Sequence, residues 1–176
     1  VPANATMLYA LEIPEEGGDT IFADLAAAYE ALTHQQQLNL ERLRVRQQYR
    51  WSRDRSHVEA RWNLLNETER EKTPEVTHPL VRTHPETGRK GLFISNAVST
   101  GIKDILDMAP DASQALIDEL FIHTDDPRFH VRHKWQVGDL LIWDNRTLMH
   151  KATTDVLPPD KFRTLYRINT TGTAPY

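Results

Sequence analysis

Apolar residues recur along this chain in short runs separated by turn residues, alternating with period two in some segments and falling on helical faces in others. Ala5 to Ile13 is largely apolar and reads as a strand. Pro14-Glu15-Glu16-Gly17-Gly18-Asp19 has turn chemistry, and Thr20-Ile21-Phe22-Ala23 reads as a short strand. Asp24 suits a helix N-cap, with Leu25, Ala28, Tyr29 and Leu32 on one helical face. A second helix is predicted over 34–47, with Leu38, Leu43 and Val45 among polar residues. From Gln48 to Glu75 charges crowd in around Trp51 and Trp62 with no steady period, so 48–75 is expected to be a loop excursion or lid. The cluster Glu67, Glu69, Glu71, Arg70 and Lys72 reads as a solvated charged face.

Leu80 to Thr83 and Gly91 to Ser95 pattern as two strands joined by a hairpin loop over His84 to Gly88. Asp111, with Gln114 three residues on, reads as a capping box opening a helix whose face is Leu116, Leu120 and Phe121. Phe129 to Trp135 alternates as a strand, and Val137-Gly138 turns. Asp139 to Asp144 is the most apolar strand and is expected to be buried; Lys161 to Asn169 is the last strand. The sum is a mainly β protein with flanking helices and an antiparallel core.

Composition narrows the chemistry. At 176 residues the chain is one domain or a large piece of one. It opens on Val1-Pro2-Ala3-Asn4 and passes at once into an apolar strand, so a longer polypeptide that starts upstream is expected. Cysteine is absent, which excludes disulfides, thiolate nucleophiles and Cys-ligated metals among these residues. A net charge of −4 offers no basic face for nucleic acid. The longest apolar runs are too short for a membrane-spanning helix, and no basic leader with an apolar core opens the chain. A soluble, cytoplasmic protein is expected, with no nucleic-acid or membrane partner. Eight histidines are many for this length, and any metal here must use His, Asp, Glu or water.

The last strand carries the first chemical signal. Alternation puts Arg163, Leu165, Arg167 and Asn169 on one face, and Phe162, Thr164, Tyr166 and Ile168 on the other. The second, mostly apolar set would face the core or a covering layer. The first places two guanidiniums about 13 Å apart along a barrel-like interior. Inward cations need anionic partners. Those are either Asp or Glu side chains, or planar anions of bound ligands, which the forked guanidinium matches. His150 re-enters the sheet just after the Asp144-Asn145 turn, close in sequence to both arginines.

Trp135-Gln136-Val137-Gly138-Asp139-Leu140-Leu141-Ile142-Trp143-Asp144-Asn145-Arg146, followed by His150, Arg163 and Arg167, resembles the taurine dioxygenase family of Fe(II)- and 2-oxoglutarate-dependent oxygenases. Gly17-Gly18-Asp19-Thr20 and the His78 to Phe93 hairpin are similar to further segments of that family. The resemblance implies a double-stranded β-helix, or jelly roll, of which 1–176 would be the C-terminal two-thirds. It implies His150 as an iron ligand, Thr20 and Arg163 on the distal carboxylate of 2-oxoglutarate, Trp135 beside that cofactor, and Arg167 on an anionic substrate. The activity implied is hydroxylation or oxidative cleavage of a small sulfonate, alkylsulfate or aryloxyalkanoate with O₂, releasing succinate and CO₂. The His78 to Gly88 hairpin and the Gly-Gly-Asp-Thr segment look nearer the aryloxyalkanoate branch. A homo-oligomer is expected.

The family's His-X-Asp pair is expected upstream of Val1 and is not in this sequence. His123-Thr124-Asp125 is a poor substitute, since it follows a helix instead of preceding Thr20; His123 suits a helix C-terminus. His57, His78, His84, His130 and His133 receive no role. Two alternatives stand beside the oxygenase. One is a metal-free jelly-roll domain binding an anion through Arg163 and Arg167. The other is a zinc hydrolase in which His123, Asp125 and His150 converge.

Overall fold

A computed structural model of the chain describes residues 2–49, 66–97, 100–154, 157–158 and 160–176. Two three-stranded sheets frame an inner face. In the first, β1 (Ala5–Glu12) lies between β10 (Leu140–Asp144) and β12 (Thr164–Asn169), antiparallel to both. In the second, β2 (Thr20–Asp24) lies between β11 (Leu148–Ala152) and β9 (His130–His133). The two sheets face each other: the Trp143 ring of β10 lies 5.2 Å from Phe22 of β2 and 4.8 Å from His150 of β11, centroid to centroid. This is the layered antiparallel arrangement of a jelly roll.

A third sheet orders β4 (Val76–Pro79), β3 (Arg44–Tyr49), β8 (Thr100–Ile105) and β7 (Asn96–Ala97), and β5 (Val81–Thr83) pairs with β6 (Lys90–Leu92) as a hairpin. Against these pack α1 (Leu25–Glu30) and α4 (Pro110–Thr124). Two further helices are α2 (His34–Leu40), whose Leu40 joins the core, and α3 (Glu67–Glu71). The main apolar core gathers Leu25, Val45, Leu80, Leu92, Ile105 and Ile117, all buried. Asp24 caps α1 by accepting from the N–H groups of Ala26 and Ala27, both at 2.9 Å. A Cβ on Gly91 would come within 3.3 Å of the Ala26 backbone, so glycine there lets β6 lie against the helix.

The structure corrects four expectations. The helix over 34–47 ends at Leu40, and Arg44–Tyr49 is a strand. Val45 and Gln47 are buried while Arg44 and Arg46 are exposed, a period of two set by pairing with β8. The helix after Met108 starts at Pro110, not on an Asp111 capping box; its N-cap, Ala109, makes no side-chain bond. Proline preorganises that first turn and lacks the N–H a cap would satisfy.

The strand 139–144 is not fully buried: Leu140 is 60% and Ile142 58% exposed, and only Trp143 is enclosed. The apolar face of β12 is likewise open, with Tyr166 66% and Ile168 63% exposed. The register places Tyr9 between Leu140 and Tyr166, and Met7 between Ile142 and Ile168. The outer side of this sheet is therefore one apolar surface that no described residue covers. Of the 48–75 segment, residues 50–65, including Trp51, His57 and Trp62, lie outside the described residues. The rest ends β3, forms α3 and leads to β4.

Candidate active site

The space between the two sheets is lined by alternate residues of each strand. Thr20, Phe22 and His150 share one face of the second sheet, since His150 pairs with Phe22 and Ala152 with Thr20. Trp143 and Arg167 face them from the first sheet. Gly17 and Gly18 deliver the chain to Thr20 with φ of +79° and +70°, a backbone region that disfavours side chains with a Cβ. A Cβ on Gly18 would also sit 3.1 Å from Arg163 Cδ. Gly18→Ala is therefore expected to displace the Arg163 side chain and weaken ligand binding beside it about 5-fold, with about 1 kcal/mol of destabilisation; titration and a thermal melt check both.

Arg163 immediately precedes β12. Its Nη2 donates to Thr20 Oγ1 at 2.9 Å, and its Cζ lies 5.4 Å from the centroid of the Trp135 ring. Trp135 Nε1 donates to the same Thr20 oxygen at 3.0 Å. No carboxylate pairs with Arg163 among the described residues, and its buried Nε has no hydrogen-bond partner there. Burial pushes its pKa down, partly opposed by the field of Asp19. Asp19 is engaged elsewhere, in an ion pair with Arg132 at 3.0 Å. Of the two readings left open for these arginines, structural salt bridges are not what the described residues show.

His150 packs its ring against Trp143 and, at 6.1 Å, Phe22, while the residue as a whole remains exposed. Burial and then the charge of Arg167 push its pKa down. At neutral pH the imidazole is neutral, the form that binds metals. Arg167 pairs across β1 with Leu8 and is exposed; its Nε donates to Asn169 Oδ1 at 3.4 Å. Asn169 Oδ1 accepts from Thr6 Oγ1, whose oxygen accepts from Asn145 Nδ2, both at 2.9 Å. Thr20, Trp135, His150, Arg163 and Arg167 thus surround the same inner face.

His123 does not join them. It hydrogen-bonds to the Ala28 carbonyl at 2.8 Å and packs on Phe129. Among the described residues no three His, Asp or Glu converge as a metal site, which overturns the zinc-hydrolase alternative.

One polar network was not foreseen. His84, buried in the loop of the β5–β6 hairpin, contacts Asp144 Oδ2 through Nε2 at 3.0 Å. Its Nδ1 accepts from the Thr87 N–H, so Nε2 carries the hydrogen. Arg146 Nη2 donates to Asp144 at 2.6 Å and Nη1 to Glu86 at 2.8 Å. Burial works to raise the Asp144 carboxyl, but hydrogen bonds from Arg146 and His84 outweigh it and hold it well below the usual carboxylate range. The network ties the hairpin to the turn that leads into His150. The sequence signal was the Asp144-Asn145-Arg146 spacing together with a histidine in a tight hairpin.

Known proteins resemble this chain in sequence and in fold. The chain is 39% identical over 154 residues to the alpha-ketoglutarate-dependent 2,4-dichlorophenoxyacetate dioxygenase of Cupriavidus pinatubonensis, covering 85% of this chain and 50% of that protein. A taurine dioxygenase structure from Burkholderia xenovorans superposes with a TM-score of 0.81 at 34% identity, over 99% of this chain and 55% of the other. The structure of AAD-2 in complex with Mn(II) and N-oxalylglycine superposes with a TM-score of 0.83 at 29% identity, over 99% and 66%. The chain spans about half the length of the first of these relatives. They confirm the jelly roll and lend no support to a metal-free binding domain. Residues 1–169 match the family model throughout, and the chain belongs to the taurine catabolism dioxygenase TauD, TfdA family, whose cofactors are Fe(II) and 2-oxoglutarate.

Proposed function

We propose that the inner face between the two sheets is the 2-oxoglutarate and iron pocket of a dioxygenase acting on small anionic organic molecules. The observation that carries this reading is Arg163: a largely buried guanidinium, bonded to Thr20, with no carboxylate partner among the described residues. A bound dicarboxylate supplies the missing anion, with Arg163 and Thr20 holding its distal end and Trp135 closing that end of the site. The donor set suits this cofactor. For the metal, His150 is one neutral ligand of the expected two-histidine, one-carboxylate face. The other two are expected from a His-X-Asp pair outside these 176 residues. When bound, iron and 2-oxoglutarate would supply the oxidising power drawn from O₂, with succinate and CO₂ as by-products.

Arg167 stands exposed beside His150, so an anionic substrate group held there is placed next to the metal position. Relatives are named for 2,4-dichlorophenoxyacetate, which carries a carboxylate, and for taurine, which carries a sulfonate, and the hairpin resemblance favours an aryloxyalkanoate.

The test is ligand-observed NMR on the metal-free polypeptide with 2-oxoglutarate, and with 2-oxobutyrate as the keto acid lacking the distal carboxylate. Binding of the diacid and none of the monoacid is expected. Equal binding of both, or of neither, would overturn the assignment of Arg163 and Thr20.

A further inference from the structure

We propose that Trp135 is a positioning residue: by donating its indole N–H to Thr20 Oγ1, it commits the Thr20 hydroxyl to act as a hydrogen donor toward the anion bound at Arg163. This rests on the pocket reading above and gives Trp135 a role different from direct contact with the cofactor.

A threonine hydroxyl has one hydrogen and two lone pairs, while indole and guanidinium nitrogens only donate. Trp135 Nε1 and Arg163 Nη2 both donate to Thr20 Oγ1, at 3.0 and 2.9 Å. Both lone pairs are then occupied, and the hydrogen must leave along the remaining tetrahedral direction. Thr20 is only 1% exposed, so its hydroxyl sits among fixed neighbours. Among the described residues no acceptor takes that hydrogen. A carboxylate, which only accepts, completes the set. Without the indole, the hydroxyl is free to rotate and donate elsewhere.

The indole is itself fixed. Its ring is buried, with the His133 ring edge-on at 4.7 Å and 88° and the Arg163 guanidinium 5.4 Å from its centroid. His133 pairs with Thr20 across β9 and β2, and its Nε2 contacts Asp139 Oδ2 at 3.1 Å. Asp139 also accepts the Gln136 N–H at 2.9 Å, which closes the turn beside Trp135. Donor and acceptor are thus anchored from the same rung of one sheet.

Trp135→Phe keeps a ring and removes the donor; Thr20→Val removes the hydroxyl and keeps the shape. Each is expected to weaken 2-oxoglutarate binding about 10-fold, and Thr20→Ser to restore it. The double variant is expected to bind no worse than Thr20→Val alone, because Trp135 acts through that hydroxyl. If Trp135→Phe costs the same factor in the Thr20→Val background, the indole is a packing residue and the proposal falls. It falls too if Trp135→Phe binds normally; Arg163→Ala losing affinity would then leave the pocket reading standing. Failure of the unmutated protein to bind 2-oxoglutarate overturns both. Should Trp135→Phe fail to fold, ¹⁵N NMR of the unmutated protein decides: the indole N–H is expected to stay protected from exchange as ligand saturates. Loss of protection would show that the bond to Thr20 breaks on binding.

Discussion

Arg163→Ala is expected to weaken 2-oxoglutarate binding about 100-fold, the scale of losing charge-assisted hydrogen bonds to a carboxylate, while the thermal midpoint barely moves. The two halves of this result have one cause. In the free protein the guanidinium is largely desolvated, its Nε lacks a partner among the described residues, and its pKa is pushed down by burial. A cation in that state gives the fold little. Removing it leaves no orphan behind, because Thr20 Oγ1 still accepts from Trp135. What is lost is the Nη2 bond to Thr20 and the attraction to the Trp135 ring, each about 1 kcal/mol or less, and relief of the unpaired buried charge offsets them. Calorimetric melting and ligand titration on the same sample separate the two quantities. A fall of the midpoint by about 10 °C with unchanged affinity would make Arg163 a structural residue.

The second large effect runs the other way. Arg146→Ala is expected to cost about 3 kcal/mol, because it strips the main partner from a partly buried carboxylate. In a domain of this size that lowers the midpoint by roughly 6–12 °C. Arg146 is the more enclosed partner, and it joins Asp144 to Glu86 as well. The pH dependence gives a second readout. A carboxyl whose pKa is depressed by folding contributes stability above its unfolded value, near 3.9. That contribution is lost as the pH falls from there through its folded value. The direction of the Asp144 shift places it in this class. The parent should therefore lose stability as the pH drops below about 4, and this slope should shrink in Arg146→Ala. Melts from pH 3 to pH 7 on both proteins measure it; parallel curves would show that Arg146 is not what holds the carboxyl ionised.

The strands around the site were legible as short apolar runs bounded by turn residues, and the parity argument that put Arg163 and Arg167 on one face matches their approach to Thr20 and His150. Thr20 and Trp135 were not legible from pattern alone. They sit in a strand start and a turn, and only the family resemblance singled them out. The failures share a physical reason. Alternation says which side of a strand is apolar but not whether another layer covers it, so Leu140, Ile142, Tyr166 and Ile168 were taken for buried. β3 looked helical because its pattern is short, and pairing with β8 overrode it. His84 earned no role because its partner lies 60 residues away, at the far end of β10.

The pairing of β2 with β11 sets a length as well as a face. Thr20 and the residue opposite His150, Phe22, are two positions apart, about 7 Å along an antiparallel strand. If Thr20 and Arg163 anchor one end of the ligand and the metal held by His150 meets the other, as proposed, the backbone would act as a gauge for the ligand's carbon chain. A diacid one carbon shorter or longer would satisfy one end and miss the other. In the pocket proposed above, selectivity for a five-carbon keto acid would follow from the rise of a β-strand, before any side chain discriminates.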